Sequence, residues 1–168
     1  MRLIATFFGA ALLLLAAVSP TNMGPVERRI QELLPWVAQE SGYSTANVRP
    51  TVFYKNSKSL NKLYYGPGIP ENSEDVLGIT IRDSIFLLDT FVLGTEDHIL
   101  VHELVHVLQY TNKRAVGIGP YMFSCIGESE KEAYEITNRW VEETGIGHKI
   151  DAFFIFFISK CPSEYGNM

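Results

Sequence analysis

The sequence has little positive charge and no cluster of it. Lys and Arg total 14 against 19 Asp and Glu, which gives a formal net charge of −5 over 168 residues. The basic residues are scattered, whereas nucleic-acid-binding surfaces usually present a basic stripe. We therefore expect no nucleic acid among the partners. Repeats and low-complexity tracts are also missing, and 46% hydrophobic residues can form the packed core of one domain.

Long hydrophobic runs are confined to the N-terminus. Arg2 precedes an almost unbroken apolar run from Leu3 to Val18, which Ser19 and Pro20 end. This pattern is typical of a signal peptide, and the run is short for a membrane span. We predict that residues 1–24 are a signal peptide, or an uncleaved anchor, and that 25–168 form a single domain. The mature protein is expected to be secreted or periplasmic, without stable membrane insertion.

Cysteine is scarce, since the chain has only Cys125 and Cys161. There is no Cys-x-x-Cys pair, which argues against a zinc site built from thiolates. In an exported chain an even count fits one disulfide, here closing a loop of about 36 residues. The alternative is a pair of buried free thiols.

Hydrophobic periodicity and turn residues predict an α+β fold. The first half of the chain is predicted to form a helix over 24–43 that Pro35 kinks or divides, a strand over 48–55 and a loop over 56–75. A hairpin follows, with strands over 76–81 and 84–89 and Arg82-Asp83 as its turn. The second half is predicted to form a helix capped by Thr95 that ends near Asn112, a helix from about Gly127 to Glu143, and an apolar core helix over 150–159 tethered by Cys161. For the last segment the alternative is an exposed patch that contacts a membrane or a partner.

The motif His-Glu-x-x-His occupies residues 102–106. Histidines at i and i+4 project from one helix face, so His102 and His106 can share one zinc ion, and Glu103 can take a proton from a water held there. The neighbouring residues are nearly all apolar, so the helix should be buried, and buried polar groups need partners. A metal ion with its bound water would provide partners for His102, Glu103 and His106 together. The alternative is a surface ladder that also includes His98.

A third ligand must come from another element. In the helix over 127–143 the apolar residues form one stripe, and Glu130 lies inside it, whereas Glu132 falls just outside the opposite edge. Glu128 and Glu135 point toward solvent. We therefore predict Glu130 as the third ligand, with Glu132 as the second choice. The stripe consists of Ala133, Ile136, Thr137, Trp140 and Val141.

These two motifs resemble the zincin metallopeptidases, and within them the gluzincin type, in which a glutamate on a later helix is the third zinc ligand. In several such families the later helix reads Glu-x-x-Ala-Asp, and Glu130-Lys131-Glu132-Ala133-Tyr134 matches it except that Tyr134 replaces the Asp. The resemblance covers about residues 76–143. It implies a minimal zincin-like core, with a small antiparallel sheet packed on the active-site helix and the glutamate-ligand helix.

The resemblance also implies a function. Zn²⁺ would be held by His102, His106 and Glu130, and Glu103 would serve as general base on zinc-activated water in the hydrolysis of a peptide or protein substrate. The strand over 84–89 would be the sheet edge that binds extended peptide. Tyr134 is a candidate to orient a ligand histidine, and Tyr110, Tyr121 and His148 are candidates to stabilise the oxyanion; the sequence does not choose among them. The alternatives are an inactive zinc-binding or interaction module on the same scaffold and a membrane-associated partner protein.

Overall fold

The computed structural model describes residues 23–68, 75–112, 114, 123 and 125–161. Residues 1–22 of the predicted signal peptide and Tyr121 lie outside these residues. In chain order the described elements are α1 (Pro25–Ser41), β1 (Thr51–Lys55), α2 (Ser57–Tyr65), β2 (Gly78–Ile81), β3 (Ser84–Leu88), α3 (Asp97–Thr111), α4 (Ile126–Thr144) and α5 (Ala152–Ile158). The predicted α+β class is confirmed at this level.

The sheet is mixed, and the prediction of an antiparallel sheet is wrong. β2 and β3 form the predicted antiparallel hairpin, whose turn places Arg82 in the left-handed region at φ 61°. β1 pairs with β3 in parallel, from Thr51 opposite Ser84 to Lys55 opposite Leu88. Parallel pairing requires a long connection, and residues 56–83 provide it. A hairpin turn determines how its own two strands pair but not how a third strand joins them.

The strand order β1-β3-β2 places β3 in the centre of the sheet. The prediction that 84–89 is a peptide-binding edge is therefore wrong, because β3 is paired on both sides. Among the described strands, β2 is the edge strand next to α3. The Thr80 hydroxyl of β2 lies 3.0 Å from the backbone carbonyl oxygen of Glu103 in α3. β2 thus packs against the helix that carries the histidine pair.

Helix α2 lies where a loop was predicted. The Asn56 side chain caps it by accepting a hydrogen bond from the Ser59 backbone N–H at 2.9 Å, and Gly66 ends it. Leu60 and Asn61 are buried on its inner face. The Asn61 side-chain oxygen also accepts from the Val76 backbone N–H at 2.9 Å, which holds the chain that leads into β2.

Helix α3 lies in the centre of the core. Its apolar residues are buried on nearly every side, as predicted for a helix without a polar face, and they contact α1, α4 and the sheet. The helix begins at Asp97 with Glu96 in the cap position, so the prediction of Thr95 as the cap is wrong. Residues 92–96 instead form a turn closed by the Glu96 backbone N–H and the Val92 carbonyl. Helix α1 packs beside it as one continuous helix that includes Pro35, so a division into two helices is wrong.

Helix α5 is clamped onto the start of α4. The Cys125–Cys161 disulfide is present, as predicted. At Gly127 a Cβ atom would collide with the backbone of Ile158, so α5 ends against the first turn of α4. Ile155 is buried, but four phenylalanines on α5 are exposed, namely Phe153, Phe154, Phe156 and Phe157. The prediction of a core helix is therefore wrong, and α5 instead presents the exposed apolar patch that was the alternative.

None of the described helices combines the length and the apolar character that crossing a membrane requires.

Removal of the disulfide should lower the stability of the fold. For the Cys125→Ser/Cys161→Ser variant we expect the free energy of unfolding to fall by about 3–4 kcal/mol, because a loop of about 36 residues is no longer closed in the unfolded chain. Urea denaturation of the oxidised wild type and the variant measures this, and the reduced wild type should match the variant. Equal urea midpoints for all three samples would contradict the prediction.

The buried start of α3 should depend on one ion pair. The Asp97 side chain is fully buried and accepts from Arg29 at 2.7 Å and from the Gly94 backbone N–H at 2.8 Å. We expect Asp97→Asn to lower the free energy of unfolding by about 2–4 kcal/mol, because the amide carries no charge to pair with Arg29 and keeps only one acceptor oxygen for the two donors. Glu32→Gln removes the exposed partner of the same arginine and should change it by less than about 1 kcal/mol. Similar losses in both variants would refute a special role for Asp97.

Candidate metal site

Three side chains from two helices converge at one point. The Nε2 atoms of His102 and His106 lie 3.1 Å apart. The carboxylate of Glu130 reaches both, with 3.2 Å from Oε2 to His102 Nε2 and 3.4 Å from Oε1 to His106 Nε2. These residues are the group within the described chain whose ligand atoms are close enough to hold one metal ion. The structure thus brings together the three residues that the sequence predicted as ligands.

The helical period explains why these side chains meet. On α3, residues 102 and 106 are one turn apart and face α4. On α4, the predicted stripe is buried, and Glu130 lies beside it with a partly exposed side chain. Glu128 and Glu135 are exposed, as predicted. The core packing of α3 against α4 therefore fixes the position of the carboxylate relative to the two imidazoles.

The buried side chain of Gln109 determines how His106 presents its ring. The Gln109 amide nitrogen donates to the Ser129 carbonyl at 3.0 Å and to the Glu132 carboxylate at 2.9 Å. Both partners are acceptors only, so the orientation of the amide is fixed and its oxygen faces His106 Nδ1 at 2.8 Å. Nδ1 must therefore carry a hydrogen, and the lone pair of a neutral His106 lies on Nε2, toward Glu130.

The centre of the site is consequently rich in acceptors. Burial alone would raise the pKa of Glu130, but its hydrogen bonds to His102 and His106 outweigh burial, so that pKa lies well below its usual range. Burial lowers the pKa of His106, but the contact with Glu130 outweighs it and raises that pKa to about 9. Two imidazole nitrogens and a carboxylate this close require a proton or a cation between them. Two histidine nitrogens and one carboxylate oxygen are a donor set suited to zinc.

Glu103 is held beside the convergent group and not within it. Its side chain is buried, and its carboxylate accepts from the Thr80 hydroxyl on β2 at 2.8 Å. A Cβ atom on Gly78 would lie 2.7 Å from Glu103 Oε1, so the glycine leaves the space that the carboxylate occupies. Burial raises the pKa of Glu103, while His102 and His106 offset part of that effect.

The convergent group opens into a cleft of about 780 Å³. One wall is formed by β2, and the opposite wall by Tyr134 of α4 and Phe154 of α5. A volume of this order suits a small ligand or a few residues of a peptide. The α2 residue Tyr64 also lines the cleft, and burial and the Glu130 charge raise its pKa. Sequence reasoning missed Tyr64 because it assigned that segment to a loop.

The other predicted site residues occupy different surroundings. The Tyr134 ring contacts the His102 ring at a centroid distance of 4.4 Å and an interplanar angle of 49°. His102 Nδ1 has no hydrogen-bond partner among the described residues, so the contact is through the ring and not the hydroxyl. Tyr110 lines the cleft. His148 lies against His98 at a centroid distance of 6.3 Å, near the start of α3. Tyr121 lies outside the described residues.

Glu132, the second choice for a ligand, contacts groups behind the histidine pair instead. Its carboxylate accepts from the Gln109 amide and, at 2.6 Å, from the Tyr43 hydroxyl. Of these two contacts, the sequence indicates only the position of Gln109, which follows His106 by three residues and so lies near it on the helix. Nothing in the sequence pattern connects Tyr43 to α4.

The chain was compared with protein families, curated proteins and solved structures. Neither the curated proteins nor the solved structures include a significant match. A family model does match, and it extends over residues 22–165, which include every described helix and strand. This chain therefore belongs to the family described as a domain of unknown function, DUF6647.

Proposed function

We propose that this chain is an exported zinc-dependent hydrolase with a zincin-like core, and that it cleaves peptide bonds. The observation that carries the proposal is the convergence of His102, His106 and Glu130, with Glu103 buried beside them. Three protein ligands leave one position of a tetrahedral zinc ion open, which is typical of catalytic rather than structural sites. When bound, zinc would polarise a carbonyl group and lower the pKa of a water molecule.

Glu103 is the proposed general base. It lies between the two candidate ligands His102 and His106 in sequence, borders the cleft and is held by the Thr80 hydroxyl, so its carboxylate has a fixed direction. Because burial raises its pKa, Glu103 holds a proton more readily than an exposed carboxylate. In the proposed reaction it takes a proton from the attacking water and passes it to the leaving amine.

The free edge of β2 supports a peptide as substrate. An extended chain can add to a sheet edge through backbone hydrogen bonds, and β2 borders both α3 and the cleft. The proposed peptide-binding strand is therefore 78–81, in place of 84–89. Hydrophobic groups on the opposite wall, Tyr134 and Phe154, would contact side chains of the bound peptide.

A zinc-binding module without turnover is the second candidate. The observation that favours it is the aromatic surface of α5, which is exposed next to the cleft and is suited to contacts with a partner. Tyr134, which stands where the resemblance expects an Asp, is consistent with the same reading. The two candidates differ in what Glu103 does, because a module without turnover does not need a base.

The Glu103 and Glu130 roles can be separated with two variants. We expect purified wild type to bind one zinc ion, Glu103→Gln to retain it and to lose at least about 100-fold in peptide hydrolysis, and Glu130→Ala to lose the metal. Metal analysis by mass spectrometry and cleavage of a peptide library measure these outcomes. Glu135→Gln on the exposed face of α4 is the control and should behave as wild type.

Two results would contradict the proposal. A wild type that binds no zinc at micromolar concentration would exclude the metal site. If zinc binds but no library peptide is cleaved and Glu103→Gln has no effect, peptide hydrolysis is excluded and the second candidate, a zinc-binding module without turnover, is favoured.

Gly78→Ala should displace the base without removing a ligand. The added methyl group would lie 2.7 Å from Glu103 Oε1 and 3.0 Å from Glu103 Cγ, so the carboxylate has to move. We expect kcat to fall by about 10-fold or more while zinc affinity changes little, because positioning of the base affects the chemical step. Gly68→Ala, which has open space around its Cβ position, is the matched control. Unchanged kcat in Gly78→Ala would show that this position of Glu103 is not the active one.

A further inference from the structure

Behind the histidine pair, a row of polar side chains runs from the end of α1 to the metal site. We propose that Tyr43, Glu132 and Gln109 form a relay that positions His106 as a metal ligand. The inference rests on the proposed function, since it assigns to these residues the task of orienting a ligand of that same site. None of the three is proposed to touch the metal or the substrate.

Each bond in the relay has a single direction. The Tyr43 hydroxyl donates to Glu132 Oε2 at 2.6 Å, and the same oxygen accepts from the Gln109 amide nitrogen at 2.9 Å. The amide oxygen that remains accepts from His106 Nδ1 at 2.8 Å. Because the carboxylate only accepts, it turns the amide so that its oxygen faces the ring. The ring is thereby held in the tautomer whose Nε2 faces Glu130.

The relay is anchored at both ends. Gln109 is 1% exposed, and its amide also donates to the Ser129 carbonyl, next to Glu130 in sequence. At the other end, the segment after α1 is fixed to the end of α3 by two hydrogen bonds between the Ser44 backbone and the Asn112 side chain, of 3.0 and 2.9 Å. Tyr43 therefore reaches Glu132 from a held position.

The chemistry of the tyrosine suits a permanent donor. Burial raises the pKa of Tyr43, and the hydrogen bond to Glu132 raises it further, so the hydroxyl keeps its proton at neutral and alkaline pH. Partners that hold the second nitrogen of a ligand histidine commonly change metal affinity about 10–100-fold when they are removed. At Tyr134, where the resemblance would have an orienting Asp, the described contact is a tilted ring against the other histidine, His102.

The test measures zinc affinity and the state of the His106 ring together. In Gln109→Met the side chain keeps its length but replaces the amide oxygen with a sulfur that is only a weak acceptor. We expect its zinc dissociation constant, measured by competition with a chelator, to rise about 10–100-fold. In the zinc-loaded protein the His106 Nδ1–H proton should give a downfield, exchange-protected NMR resonance that disappears in Gln109→Met. Loss of core packing alone would not remove that one signal selectively.

Two remote variants keep the test decisive if Gln109→Met does not fold. Tyr43→Phe and Glu132→Gln leave Gln109 in place, and each should weaken zinc binding about 3–10-fold and broaden the Nδ1–H resonance. Their matched controls are Tyr54→Phe on β1 and Glu135→Gln on α4, both of which are exposed residues and should keep wild-type values.

The outcomes separate this inference from the proposed function. If wild type binds no zinc, both are overturned. If wild type binds zinc and Glu130→Ala releases it, but the relay variants keep wild-type affinity and a protected Nδ1–H signal, the relay is wrong and the proposed function stands. Weakened zinc binding together with the lost signal supports the relay.

Discussion

Acceptor atoms crowd together between α3 and α4, and the rest of the site follows from how the protein stabilises them. His102, His106 and Glu130 bring two imidazole nitrogens and a carboxylate within hydrogen-bonding distance of one another. Such a group is stable only with a positive charge among its atoms, either a proton or a metal ion. The apolar surroundings of α3 strengthen this requirement, and the fixed amide of Gln109 prevents His106 from avoiding it by exchanging its ring proton between nitrogens.

The sequence was most informative where one helical period decides the outcome. The spacing of His102 and His106 predicts a common face, and the apolar stripe of α4 predicts that Glu130 rather than Glu132 is turned toward them. Both arrangements are found in the structure, because burial of the stripe fixes the rotation of the helix about its axis. The disulfide was predictable for a simpler reason, since the chain offers only one pair of cysteines.

Features that depend on contacts between distant segments were not predictable. The parallel pairing of β1 with β3 leaves β1 and β2, and not β3, as the edges among the described strands, and no local pattern records that choice. Helix α2 was missed because its Asn56 cap lies in a segment rich in turn residues, and Tyr64 was missed with it. The contact between Tyr43 and Glu132 joins residues 89 apart in sequence, so only the packing of α1 beside α4 brings them together.

The clamp at the start of α4 has a consequence for the shape of the cleft. Cys125 immediately precedes the helix that carries Glu130, and its partner Cys161 follows α5, whose Phe154 forms part of the cleft wall. A single covalent bond therefore ties a wall of the cleft to the element that supplies the carboxylate. Ile155 is the residue of α5 that is buried, so the position of this wall depends on the disulfide and on the close approach of Gly127 to Ile158 as well as on core packing.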